Sequence, residues 1–77
     1  MNRERRTRIS KLMEQLSGLR DELESIRYEE EEYRDNIPEN LKGSERYEKA
    51  EESIDALDAA LEGLETACDE LETIVDG

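Results

Sequence analysis

The side chains able to do chemistry in this sequence are almost all carboxylates: Asp and Glu supply 23 residues against 11 Lys and Arg, with no histidine and Cys68 as the only thiol. Acid-base and nucleophilic catalysis need a titrating or activated group held within a constellation, and tight metal sites want imidazole, thiolate or looped oxygen ligands. No such set is present, and no Gly-rich loop leads into a helix, so the expectation is a protein that is not an enzyme and takes no cofactor and no metal. The run Glu29 to Glu32 does not alter this, because contiguous acids on a helix diverge and lack the carbonyl ligands of a calcium loop. What regularly spaced carboxylates can do is present charge. Glu48, Asp55, Glu62 and Asp69 recur at a constant spacing, and Glu31 and Glu32 belong to a second acidic stretch. A helix carrying them shows a line of negative charge able to engage a basic partner surface, including one built for nucleic acid. The competing reading is a solvated face that only keeps a small protein in solution.

The net charge of −12 makes direct binding to DNA or RNA unfavourable, since like charges repel. Arg3, Arg5, Arg6, Arg8 and Lys11 form a basic start, but in a folded-back chain they lie beside Asp69, Glu70, Glu72 and Asp76, which are expected to absorb much of that charge. One cysteine cannot close an intramolecular disulfide, and no apolar run reaches the length of a membrane span or a secretion signal. A cytoplasmic location without membrane attachment is the expectation.

The elements that must hold these carboxylates are legible from two apolar stripes. One runs Ile9, Leu12, Leu16, Leu19, Leu23, Ile26, Glu30, Tyr33, Ile37, and the other Tyr47, Ala50, Ile54, Leu57, Leu61, Leu64, Cys68, Leu71, Val75. Steps of three and four place each stripe on one side of a helix, at the a and d positions of a heptad abcdefg whose a positions include Ile9 and Ile54. Pro38 disfavours helix at Ile37, Gly43 suits a left-handed turn, and Ser44 is a capping residue followed by Glu45 and Glu48. The fold predicted is all-α: one antiparallel two-helix coiled-coil hairpin over 1–77, with helices over about 3–36 and 45–75 and a turn over 37–44.

The flanks support one register. The e residues Arg20, Arg27 and Arg34 would meet Glu65, Asp58 and Glu51, and the same alignment sets Tyr33 against Tyr47, Ile26 against Ile54, and Glu30 against the short Ala50. The opposite flank is small: Ala56, Ala60, Gly63, Ala67 and Ile74 on the second helix, with Gly18 on the first. Glycine inside a helix costs about 1 kcal/mol relative to alanine, which close approach of another backbone would explain. These residues are the candidates for self-contact, giving a homodimeric four-helix bundle. Two other roles remain open, a structural or scaffolding oligomer without a charge-driven partner, and a bundle enclosing a small ligand between hairpins.

The stretch Asp35-Asn36-Ile37-Pro38-Glu39-Asn40-Leu41-Lys42-Gly43-Ser44-Glu45-Arg46-Tyr47-Glu48-Lys49-Ala50-Glu51-Glu52 resembles a family of small uncharacterised coiled-coil hairpin proteins of Gram-positive gut bacteria, found on phages and conjugative elements. The resemblance implies no activity and no functional residues. It implies a mobile-element setting, in which small acidic proteins that block host machinery are one class.

Overall fold

Two long helices account for nearly the whole chain in the computed structural model, which describes Met1 to Gly77. Helix α1 covers Arg3–Asp35 and helix α2 covers Glu45–Asp76, with a short 3-10 turn at Glu39–Leu41 between them. There is no strand, and the two helices pack on each other as a helical hairpin.

Local chemistry fixes the ends. Asn2 Oδ1 accepts from the Arg5 N–H at 2.9 Å, and Ser44 Oγ accepts from the Tyr47 N–H at 3.3 Å, so each helix has a side-chain cap on an otherwise unpartnered donor. Between them the Ile37 N–H reaches Arg34 O at 3.1 Å, the Leu41 N–H reaches Pro38 O at 2.8 Å and the Ser44 N–H reaches Leu41 O at 3.0 Å. The turn thus satisfies its own backbone without a left-handed residue: Gly43, expected to supply one, has no positive φ.

The shape is a rod of 59 × 15 × 13 Å with a radius of gyration of 17.4 Å. A compact chain of this length would have a radius near 12 Å. Only Ile37, Ala50 and Ile54 are buried, and all three lie toward the closed end.

Helix α2 turns its stripe toward α1: Tyr47, Leu57, Leu61, Leu64, Cys68, Leu71 and Val75 are half-buried beside the buried Ala50 and Ile54. Helix α1 is rotated from the facing expected of it. Its a residues Ile9, Leu16, Leu23 and Glu30 are half-buried, but so are the e residues Met13, Arg20, Arg27 and Arg34. The d residues Leu12, Leu19, Ile26 and Tyr33 are 53%, 52%, 49% and 46% exposed. Opposition of Ile26 with Ile54, and of Tyr33 with Tyr47, is therefore unequal, since Ile54 is 3% exposed and Tyr47 half-buried. The arginines fill that side: their aliphatic stems cover apolar surface, and one guanidinium, that of Arg27, reaches across to Asp58 of the strongly acidic second helix.

No helix is long and apolar enough to cross a membrane.

Candidate interaction surfaces

Charge is divided very unevenly between the helices. Between Glu45 and Asp76 the sequence has twelve carboxylates and only Arg46 and Lys49 as cations, so α2 carries ten of the twelve net negative charges. Glu48, Asp55, Glu62 and Asp69 are all exposed, and none of them makes a salt bridge. Lys49 pairs instead with Glu45, at 3.2 Å. At a rise of 1.5 Å per residue the four carboxylates stand about 10 Å apart, and the rigidity of the helix fixes their spacing.

The two acidic residues singled out on α1 part company. Glu31 is half-buried and accepts from Arg27 Nη1 at 2.7 Å, whereas Glu32 is exposed and unpaired. Successive helix residues diverge by about 100°, so neighbours in sequence serve different faces. Arg27 also donates through Nε and Nη2 to both carboxylate oxygens of Asp58, the second contact at 3.3 Å. These bonds, Asp58 first and Glu31 second, raise its pKa above the ordinary arginine value. The Arg27–Asp58–Glu31 cluster ties α1 to α2 and removes Glu31 from any free acidic edge.

Of the three cross-helix pairs expected on this flank, Arg27–Asp58 is the one that forms. Arg34 bonds its neighbour Asp35 at 3.2 Å, which raises the Arg34 pKa, and Arg20 approaches Asp21 at 3.9 Å. Screened surface pairs are worth about 0 to 1 kcal/mol, so a local carboxylate competes easily with a distant one. The basic start behaves likewise. Arg3, Arg5, Arg6, Arg8 and Lys11 make no salt bridge with α2, contrary to the expected neutralisation by Asp69, Glu70, Glu72 and Asp76. Near that end Glu72, Val75 and Asp76 share a shallow groove of about 380 Å³ with Ser10, Met13, Glu14 and Ser17. Arg6 and Arg20 each have a buried Nε with no hydrogen-bond partner.

Among the small residues, Gly18, Ala56, Ala60 and Gly63 are exposed, while Ala67 and Ile74 are half-buried. A Cβ placed on Gly18 or Gly63 would meet nothing within 4 Å. Packing within the hairpin therefore gives no reason for either glycine. Cys68 is free and half-buried, and no group of three or more Cys, Asp or Glu side chains is arranged to hold a metal ion.

The feature that the heptad reading did not reveal is the d column of α1. Its spacing is that of ordinary core; the rotation of the helix, which turns the four e residues inward, leaves it half exposed. No family model, curated protein or solved structure matches this chain.

Proposed function

We propose that this chain is a non-enzymatic protein-interaction module: an antiparallel coiled-coil hairpin that pairs with a second copy into a four-helix bundle and presents the carboxylates of α2 to a basic surface of a partner protein. One observation carries the reading. Glu48, Asp55, Glu62 and Asp69 form an exposed column, free of salt bridges, on a helix that holds ten of the twelve net negative charges.

The density of charge suits a surface made for nucleic acid. The twelve carboxylates of α2, spread around its faces, lie along about 48 Å of axis, roughly one per 4 Å for the helix as a whole and one per about 10 Å in the column, against about 3.4 Å per phosphate along one DNA strand. A rigid rod with this field draws a basic partner by long-range attraction, and it loses little conformational entropy on docking because the helix is already formed. The column is also uncompensated, so docking breaks no internal ion pair. In the mobile-element setting implied by the loop resemblance, this reading makes the protein an inhibitor that occupies the phosphate-binding groove of a host protein.

The test is capture of partners on the tagged chain from host lysate at low and high salt, with identification by mass spectrometry. Basic nucleic-acid-processing proteins retained at low salt and released at high salt are the expected result. Retention that does not depend on salt, or retention of the chain alone, would overturn the charge-driven reading and leave the second one, a scaffolding oligomer, which the uncovered d column of α1 favours.

A further inference from the structure

The geometry points to the d column of α1, and not the small-residue flank of α2, as the surface on which a second copy docks, with the two α1 helices running in opposite directions across a two-fold axis. This rests on the self-pairing proposed above and assigns it a face, a partner segment and a symmetry. Leu12, Leu19, Ile26 and Tyr33 are each about half exposed and lie in one line along α1. Four large apolar residues in line, uncovered on a chain with only three buried residues, constitute an unpartnered helix face.

Three observations select a second copy as the occupant. The first is spacing. The column is symmetric about the Glu22–Leu23 midpoint, so an opposed copy sets Leu12 against the partner's Tyr33 and Leu19 against the partner's Ile26, and an isologous contact requires this self-complementarity.

The second is charge, which inverts about the same midpoint. From Arg3 to Glu22 the helix carries six cations and four carboxylates, and from Leu23 to Asp35 six carboxylates and two cations. Opposed helices bring the basic half of each onto the acidic half of the other, whereas parallel helices would bring like onto like. Beside the column, Lys11, Gly18, Ser25 and Glu32 are centred one residue earlier, so Lys11 comes within about 3 Å of axial rise of Glu32 of the partner subunit, and Gly18 as near the level of Ser25 of the partner subunit. The exposed Gly18, which nothing in the hairpin explains, then lies beside the contact, where it offers no side chain to obstruct the partner helix.

The third is area. The chain exposes 5984 Å². A compact protein of 9.0 kDa exposes about 4,900 Å². The excess of about 1,100 Å² belongs to the elongated rod as a whole, and it leaves room for the about 800 Å² that one partner gives up in a standard dimer. The arrangement has one unfavourable feature, Glu22 on the neighbouring flank at the midpoint, which comes near its own copy across the axis. That feature is diagnostic.

Sedimentation equilibrium of the full chain tests the assignment. The wild type is expected to be a dimer, and L19E/I26E to be a monomer of unchanged helicity, with association weakened at least about 100-fold because each substitution enters the interface twice. K11E should weaken the dimer on the order of 5-fold, K11E/E32K should restore it, and E22Q should tighten it. A monomeric wild type would overturn both the pairing and its assignment. A dimer that L19E/I26E leaves intact would overturn the assignment alone. Should L19E/I26E fail to fold, E22Q and K11E decide, and unchanged affinity in both overturns the assignment.

Discussion

Ile54 and Ile26 occupy equivalent seam positions in the heptad pattern, yet the structure gives them different worth, and truncating each to alanine separates the two descriptions. Ile54 is 3% exposed and Ile26 is 49% exposed. Removing a buried isoleucine to alanine costs about 2 to 5 kcal/mol through lost transfer energy and residual cavity. The thin core around Ile54 can partly collapse, which favours the lower half of that range, about 2 to 3 kcal/mol. For Ile26, half the side chain is already in water, so the loss within one hairpin is about 1 kcal/mol or less. At about 4 to 8 °C per kcal/mol for a domain of this size, Ile54→Ala should lower the thermal midpoint by roughly 10 to 20 °C and Ile26→Ala by under about 8 °C. The assay is thermal unfolding by circular dichroism, made at dilutions where the midpoint no longer changes with protein concentration, so that self-association does not contribute. Equal losses for the two variants under those conditions would refute the rotation of α1 and restore a symmetric seam.

Other expectations follow from single contacts. Ser44→Ala removes the cap on the Tyr47 N–H and should cost about 1 kcal/mol, a fall of about 4 to 8 °C in midpoint; no fall would mean that the cap is not made in solution. Gly63→Ala should raise the midpoint by a similar amount, because a Cβ there meets nothing within 4 Å and alanine restricts the unfolded chain. A lowered midpoint or a lost dimer would instead place a neighbouring backbone against the small flank of α2. Arg27→Gln should lower the midpoint by less than Ile54→Ala, and by progressively less as salt is added, since the Arg27–Asp58 pair is at the surface. The raised Arg27 pKa puts its charge in place at every pH below the ordinary arginine value, and the stability it contributes is lost only as pH rises through that raised value. Between neutral pH and about 9, its own titration should therefore leave the effect of Arg27→Gln unchanged, which a pair of melts checks.

What could be read from residues alone was the hairpin and the inward face of α2. Pro38 and Ser44 mark the break, and the stripe from Tyr47 to Val75 holds the large apolar residues of α2 except Ile74, with small or charged residues elsewhere, so one facing satisfies it best. The facing of α1 was not legible. Its apolar stripe borders an arginine column, and periodicity alone cannot say whether Leu19 or the stem of Arg20 covers the partner helix; that depends on the sum of weak ionic contacts with α2. The same weakness explains why Arg27 found Asp58 while Arg34 turned to the adjacent Asp35. For the candidate surfaces, Glu48, Asp55, Glu62 and Asp69 stand together as their spacing implies. Glu31 and Glu32 do not, because a single residue step carries Glu31 to Arg27 and leaves Glu32 on another face. The uncovered column from Leu12 to Tyr33 had no sequence signal of its own, since an apolar heptad position reads as core whether or not the partner reaches it.

The central claim is that the α2 column is a site and not merely a source of net charge, and a comparison at equal charge tests it most directly. Partner capture would be measured for the wild type, for D55K/E62K/D69K on α2, and for E14K/D21K/D35K on the outer face of α1, two variants of identical net charge. The account predicts that the α2 reversals abolish capture while the α1 reversals leave most of it. Equal loss in both variants, or retention in both, would contradict it.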